Sequence, residues 1–552
     1  MRDTRTMVRL VMMGAATMCL VSPVSAQRVL DRADPAANTV ERAVTPPAKT
    51  PAPDPVVVET RAAAIPTLQR NVTIGAITFT GLRALTPATF ANVIEPWLGK
   101  LATPRDLATL TSDIAKRARA KGYVFASASI ERQRLESGVL VMTVDEGRID
   151  AIRLDGPDDP AVRAALEPLV TGAPVTLAEL ERRLLLAGDL DGVRIRSSRW
   201  VREGDQGVLI VKVERTAIRG RVALRNDGSR PLGPVQLTGQ VELAGLLAGD
   251  DALTLSYAGT PLQPSELNYG RIRYAKRVSR DGTELSIAGS ASASHPGAYL
   301  ERLDLSSRNY FGSIGVLQPL VRRREGSLWT TGELSLRDLN QDRDGDPARR
   351  DRLTVARLGL YGFAQAGGGR LRAGLTVSRG LDLLDATRAG DPLASRNDAD
   401  GTFTSLGGWA EWTRTLIKRV SLRAGMEAQV AAEPLLVSEE IGLGGTGYLR
   451  AYDWSERSGD KGAMGVVELR YDLRPPFGLR SGQLYVFADG GHVANLHDGF
   501  GGGALASAGG GLRADIVRGL GASVEVAVPL TGERYDSGNR APRLSFGLVK
   551  SF

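Results

Sequence analysis

The chain's three histidines, His295, His492 and His497, are its only imidazoles, and none stands at the spacing of a metal-ligand pair or of a base beside a nucleophile. Gly442-x-Gly444-x-x-Gly447 has the spacing of a dinucleotide fingerprint. It lies between strand-like segments with no βαβ unit around it, so the helix terminus that would hold a pyrophosphate is missing. Asn340, Asp342, Asp344 and Gly345, running on to Asp351, approach a calcium loop. That run opens with Asn and closes with Asp where a bidentate Glu is needed, so a charged, solvated outer loop is the plainer reading. No acid, base and nucleophile gather anywhere. The chain is read as a non-enzyme with no catalytic residue, no metal site and no cofactor.

The strongest local feature is Gly444-Gly445-Thr446-Gly447-Tyr448-Leu449-Arg450-Ala451-Tyr452, an arginine set between two tyrosines after a run of glycines. By itself it could be a solvated arginine in a long outer loop. A second short pattern, Phe487-Ala488-Asp489-Gly490-Gly491, follows on a strand-like segment. What either does depends on the elements that carry it.

Residues 1–26 have the form of a secretory signal: Arg2, Arg5 and Arg9, an apolar run from Leu10 to Val21, then Val24-Ser25-Ala26. Cys19, the one cysteine, lies in that run behind Met18, a poor match to a lipoprotein cleavage site, so the chain from Gln27 onward lacks thiols. This removes disulfides, thiolate metal sites and a cysteine nucleophile. Beyond the signal no run reaches the 18 or so apolar residues of a spanning helix, so a membrane role requires a barrel. The 70 basic and 62 acidic residues, net +8, are interleaved without the single-sign stripe of a nucleic-acid binder.

Residues 27–70 carry Pro35, Pro46, Pro47, Pro51, Pro53, Pro55 and Pro66 among alanines and threonines, the composition of an extended linker, with room for a short helix between Arg28 and Val44 interrupted by Pro35. From 71 to 150 the pattern becomes strand, helix, helix, strand, strand. Val72, Ile74, Ile77 and Phe79 form the first strand, and Thr86-Pro87 and Thr103-Pro104 each open a helix. The second helix puts Leu107, Leu110, Ile114 and Ala118 on one face and ends at Lys121-Gly122-Tyr123. Strands at Val124–Arg132 and Val139–Val144 meet at a turn through Glu136-Ser137-Gly138. Residues 151–215 repeat this plan: a strand at Ile152–Leu154, helices at 160–169 and 177–187, strands at 193–201 and 207–214. The repeat is one of topology rather than identity.

From Gly220 to Phe552 period-two alternation takes over. Val235, Leu237, Gly239, Val241 and Leu243 alternate with polar residues, as do Leu253, Leu255 and Tyr257, and finally Leu544, Phe546, Leu548 and Phe552. Apolar residues facing lipid and polar or small ones facing a wet lumen give that pattern. The segments count to sixteen at roughly 21 residues each with their connections, an even number as closure requires. Short turns such as Leu246–Asp251, Ser279–Gly282 and Leu416–Arg419 take turns with long loops such as Leu381–Asp400 and Glu433–Lys461, and the long set should face outward. Trp409 and Trp412 read as girdle aromatics at the membrane interface. The fold class is mainly β: a 16-stranded transmembrane β-barrel at 220–552 behind two small α+β units. A soluble sandwich or propeller would show blade repeats and continuous core runs that are not found here.

On these motifs the chain resembles the two-partner secretion transporters, the hemolysin secretion/activation type. Tyr448-Leu449-Arg450-Ala451-Tyr452 is similar to the family's loop signature, and Phe487-x-Asp489-x-Gly491 matches its strand signature. Gln133-x-Leu135-x-x-Gly138-x-Leu140 with Asp145-Glu146-Gly147-Arg148-Ile149 looks like the end of the family's first periplasmic POTRA module. Glu179-x-Glu181-x-x-Leu184-Leu185 with Leu190-x-Gly192-Val193 looks like its second. The resemblance implies that the long loop folds back into the lumen and that Arg450 meets Asp489 there. Ala451 stands where the family has glycine and Leu449 where it has valine, so a loop that needs the glycine for close approach would sit differently.

The function implied is an outer-membrane pore of a Gram-negative cell, its POTRA-like modules in the periplasm, passing an unfolded exoprotein such as a hemolysin or filamentous adhesin. Its other partners would be outer-membrane lipid and the barrel-insertion machinery, which would read the terminal Phe552; nucleic acid is not among them. The competing readings are a barrel-assembly factor, which would carry more modules, and a passive porin or adhesin, which would lack the modules or the terminal alternating strand.

Overall fold

A computed structural model of the chain describes residues 57–58, 71–131, 133, 138–474, 479–497, 499 and 501–552. The expected signal segment, the linker and its short helix apart from Val57–Val58, and the turn residues Glu136 and Ser137 lie outside the described residues.

In the first module, helix α1 (Pro104–Ala120) begins where Thr103 and Asp106 form a capping box: the Thr103 Oγ1 accepts from the Asp106 amide, and the Asp106 carboxylate accepts from the Thr103 amide at 2.9 Å. Leu107, Leu110, Ile114 and Ala118 are buried on one face as their spacing dictates, against Leu140, Met142 and Val144 of a three-stranded sheet. That sheet runs Ala76–Thr80, Val139–Asp145, Ser127–Ser129, its first pair parallel. Two expectations need correction. The first strand is split, because Gly75 and Ala76 both donate to the Gly138 carbonyl, at 2.8 and 3.2 Å, and Val72–Thr73 pairs instead with Leu101–Ala102. The segment after Thr86 is a 3-10 turn (Pro87–Phe90) and one α-turn (Ala91–Ile94) without a side-chain cap. Pro96, in the next 3-10 turn, cannot extend a helix.

The second module repeats the strand order. Gln206–Arg215 lies between Ala151–Asp155, parallel, and Val193–Glu203, antiparallel, under helices α2 (Pro160–Leu166) and α3 (Leu177–Gly188). Val57–Val58 pairs in parallel with Arg199–Trp200 on the open edge of that sheet. The Asp145-to-Asp150 segment is the joint between the modules. The buried Glu146 carboxylate accepts from the amides of Arg83, Ala84 and Leu85, while the Arg148 carbonyl accepts from the Trp200 indole at 3.1 Å and Asp150 from the Gly207 amide at 2.7 Å.

The barrel closes through sixteen antiparallel strands: β1 (Ile218–Arg225), β2 (Gln236–Ala244), β3 (Asp251–Gly259), β4 (Asn268–Arg277), β5 (Glu284–Ser294), β6 (Leu305–Arg322), β7 (Gly326–Arg343), β8 (Asp346–Ala366), β9 (Gly369–Leu381), β10 (Thr404–Ile417), β11 (Val420–Ala431), β12 (Lys461–Asp472), β13 (Ser481–Ala494), β14 (Gly503–Val517), β15 (Leu520–Pro529) and β16 (Arg543–Ser551). It begins at Ile218, two residues before the expected Gly220. At the seam β1 pairs with β16, and Gly220 and Phe552 exchange backbone hydrogen bonds at 2.9 and 3.0 Å, which leaves the Phe552 ring exposed. Leu255, Tyr257, Ile287, Ile314, Leu358, Leu375, Val467, Val526 and Phe546 represent the exposed apolar belt that period two places outside.

The tryptophans depart from expectation. They are three residues apart, so the pleat sends them to opposite faces. Trp409 pairs with Glu427 on the lumen side, beneath the Arg372 guanidinium at 5.8 Å. Trp412 alone lies outside, its indole donating to the Ala366 carbonyl at 2.9 Å. The run from Asn340 to Asp351 is also no loop: β7 and β8 continue through it to a two-residue turn at Asp344-Gly345, both at positive φ, and Asp351 is buried accepting from the Ser395 amide.

The short turns lie at the end where the second module docks. Asp189, at the C-terminus of α3, accepts two hydrogen bonds from Arg322 at the end of β6, at 2.6 and 2.7 Å, with both side chains buried. Arg277 of β4 donates to the Leu186 carbonyl at 2.5 Å, and Arg183 pairs with Asp281 at 3.2 Å. The helix's terminal carbonyls thus meet cations, as its dipole favours.

Candidate functional site

The connection between β11 and β12 enters the lumen, as the resemblance implied. Its arms, Ile441–Leu443 and Arg457–Gly459, pair as a small hairpin. Its tip turns at Gly444, where a Cβ would stand 1.9 Å from the Asp453 carbonyl oxygen, so only glycine fits. Loop residues Ile441, Leu443, Leu449, Ala451 and Tyr452 are buried against inward residues of the wall, among them Met464, Val466, Phe487 and Leu505. Gly491 makes room for this contact, since a Cβ there would come within 2.8 Å of Leu443. Each fully buried aliphatic side chain contributes about 1.5–3 kcal/mol to docking.

Arg450 is 6 % exposed. Its guanidinium donates to Glu468 of β12 and to Glu525 of β15, both at 2.8 Å, and lies over the Phe487 ring with 3.6 Å to its centroid. The expected ion pair with Asp489 is present, but Glu468 and Glu525 hold the guanidinium by hydrogen bonds and Asp489 does not. The Arg450 Nε stands 3.6 Å from Asp489 Oδ2, close enough for attraction but too far for a hydrogen bond. Asp489 is committed to the Ser507 hydroxyl and, at 3.4 Å, to the backbone amide of Arg450. It holds the loop's backbone, while Glu468 and Glu525 hold the guanidinium.

Glu468 is also shared by Arg470 at 2.7 Å and Arg513 at 3.0 Å, so three arginines face Glu468, Glu525 and Asp489 with charges in balance. Glu525 accepts as well from the Tyr485 hydroxyl at 2.8 Å. None of Glu468, Glu525, Arg513, Tyr485 or Ser507 was singled out in the sequence. The signal was present: Val467 and Leu469 face lipid, so the carboxylate between them must face the lumen, and Glu525 stands likewise between Val524 and Val526.

The remaining loop residues have separable roles. Tyr452 is fully buried; its hydroxyl lies 3.2 Å from the Ala506 and Gly532 carbonyls and from the Thr531 hydroxyl, and its own carbonyl accepts from Arg543 at 2.8 Å. Tyr448 is half-buried beside Gly425 of β11. Leu449 takes the left-handed conformation (φ 56°), whereas Ala451 is not among the positive-φ residues, so its methyl is accommodated in a buried position without backbone strain. A second tether lies earlier in the loop, where Arg357 of β8 donates to both oxygens of Glu439 at 2.6 and 2.8 Å. Farther out, Arg396 donates to Glu440 at 3.0 Å and Asp460 at 2.7 Å and closes the outer loops over one another. Among the described residues no group of histidine, cysteine or carboxylates could hold a metal ion.

A closed barrel with a lipid-facing belt, a loop fastened in its lumen and two α+β modules docked at its short-turn end defines the class of POTRA-bearing outer-membrane barrels, with the modules on the periplasmic side. Within that class the chain belongs to the haemolysin secretion/activation protein family ShlB/FhaC/HecB, which it matches over residues 204–514, and residues 72–147 match the POTRA domain of ShlB type. It is similar to the outer membrane transporter CdiB of Escherichia coli, 29% identical over 170 residues, an alignment that spans 30% of this chain and only 29% of that relative. It is 21% identical over 399 residues to the heme/hemopexin transporter protein HuxB of Haemophilus influenzae (strain 86-028NP), covering 69% of each chain. The solved structure of CdiB from Escherichia coli shares the fold, with a TM-score of 0.71 and 21% identity over 92% of this chain and 94% of that one.

Proposed function

We propose that this chain is the outer-membrane pore of a two-partner secretion system, passing an unfolded exoprotein such as a hemolysin or filamentous adhesin. The observation that carries the reading is the loop between β11 and β12, held against the wall of a wide barrel by Arg450, which fits a pore that must be closed at rest and cleared for a client. A passive porin has no need of two modules docked on its periplasmic rim. Residues 71–150 and 151–215 act as the client-binding POTRA modules. The edge strands Ser127–Ser129 and Ala76–Thr80 offer unpaired backbone for an extended peptide, the usual mode of strand addition. Folding of the exoprotein outside the cell supplies direction, since no nucleotide is at hand. Phe552, on the β1–β16 seam with its ring exposed, is the residue the barrel-insertion machinery would read.

The test is deletion of residues 71–215 in cells that also make a candidate exoprotein, sought first in the adjacent gene. The truncated barrel is expected to insert, migrating differently in boiled and unboiled gel samples, while the exoprotein no longer reaches the medium. Secretion at the full-length rate by the truncated barrel refutes the division of labour.

A further inference from the structure

The loop that carries Arg450 touches two separate parts of the wall. Its tip is fastened on β12 to β15, whereas Glu439, near its start, is fastened to Arg357 on β8, with β9, β10 and the loop's own strand β11 lying between along the wall. The Arg357–Glu439 contact is well made. One guanidinium nitrogen serves both carboxylate oxygens at 2.6 and 2.8 Å, the other donates to Ser335 at 2.7 Å, and the side chains are 24% and 10% exposed. Two further bonds hold the carboxylate in place: the Glu439 carbonyl accepts from Gln429 of β11 at 2.9 Å, and the Val437 amide donates to Ser395 at 3.1 Å.

We propose that Arg357 and Glu439 are a second latch, a positioning pair for translocation that works together with Arg450. The segment between the fastenings is a strap across the lumen, and a strap tied at one end only can swing. Release of Arg450 alone leaves the first arm against β8, and release of Glu439 alone leaves the tip on β12 to β15. Full clearance requires both. The inference rests on the pore reading for its purpose, but its geometry can be tested without any client.

The experiment uses the full-length protein with Cys19→Ser, which leaves no other thiol in the chain. In planar bilayers Arg357→Gln and Glu439→Gln are each expected to raise the fraction of time spent open by about tenfold, the loss of one charge-assisted contact. The exchange Arg357→Glu with Glu439→Arg is expected to return it only in part, because Glu333, 3.8 Å from the Arg357 guanidinium, would face the new carboxylate. Arg357→Cys with Glu439→Cys, joined by a reducible bifunctional thiol reagent long enough to replace the two side chains, should give a pore that stays shut until reductant is added. The boiled-versus-unboiled gel shift reports that each barrel is folded. Folded single variants that gate like the parent overturn the latch, as does a cross-linked pair that conducts freely. If the variants gate as expected while the parent exports no exoprotein, the latch stands and the secretion reading falls.

Discussion

Arg450→Ala removes two hydrogen bonds to carboxylates and the stacking on Phe487, yet it does not leave every partner stranded. Glu468 keeps Arg470 and Arg513, and Glu525 keeps the Tyr485 hydroxyl. The loss is therefore in the range for breaking a buried pair, about 3–5 kcal/mol, and falls on the docked loop rather than on the barrel. At about 1.4 kcal/mol per decade this shifts the loop between docked and free by roughly two to three and a half decades. Asp489→Asn should cost far less, about 1 kcal/mol, because an amide oxygen can still accept from Ser507 and from the Arg450 backbone. Arg450→Lys should fall between them, since a single ammonium cannot bridge Glu468 and Glu525 as the planar fork does.

The decisive assay is a mutant cycle read by pore opening in planar bilayers and by protease cleavage of the loop in folded barrels. Arg450 is expected to couple strongly to Glu468 and weakly to Asp489. The exchange of Arg450→Asp with Asp489→Arg should not restore the parent, because the new carboxylate would face Glu468 and Glu525. Stronger coupling to Asp489 than to Glu468, or recovery by that exchange, refutes the assignment of the guanidinium to the two glutamates.

At the other end of the barrel, Asp189→Ala should free α3 from the rim. It leaves the Arg322 guanidinium buried against Trp329 with Ser327 as its remaining hydrogen-bond partner among the described residues, a loss of about 3–5 kcal/mol if the module stays docked. Hydrogen exchange in residues 177–188 should rise while the barrel strands stay protected, and unchanged exchange would count against a rigid joint. In the first module the Thr103 amide, then its hydroxyl, holds the Asp106 carboxyl below its ordinary value. A depressed carboxylate stabilises the fold above its unfolded pKa and loses that contribution as pH falls through the folded one. Protection of the first turn of α1 should thus fade in acid below about pH 3.8 in the parent, and Asp106→Ala should lack that acid step; parallel curves would refute the cap as its cause.

The features most legible in the sequence are those a local rule decides. Period two fixes which face each barrel residue takes, so sixteen strands and the long connection that carries Arg450 could be counted, while the role of Phe487-x-Asp489 came with the resemblance. Thr103-Pro104 announced the start of α1 in the same way. Where expectation failed, the deciding contact was not local. The expected ion pair of Arg450 with Asp489 is present at 3.6 Å, but parity, which places Glu468, Asp489 and Glu525 all inward, says nothing of their relative heights and so did not show that Glu468 and Glu525 are the ones at hydrogen-bond distance. The split at Gly75 depends on the carbonyl of Gly138, distant in sequence. The tryptophans are different, for the odd interval between Trp409 and Trp412 already required opposite faces.

Why the loop should be held by charges at all follows from what its apolar contacts cannot do. Leu443, Leu449 and Tyr452 supply most of the affinity for the wall, but apolar contact is non-directional and would tolerate neighbouring positions along the staves. Arg450 selects one position, because its fork must meet two carboxylates from strands three apart in the wall. On the proposed reading, the same choice makes the closure reversible. A cluster balanced at three cations and three carboxylates carries no net charge to trap it, and when the loop leaves, water in the lumen takes over the solvation that the ions gave up on docking. A purely apolar plug of equal affinity would expose its greasy face on opening with nothing to offset the cost. A pore closed by a strap must pay for release in a currency the lumen can return, and hydration of ions is that currency.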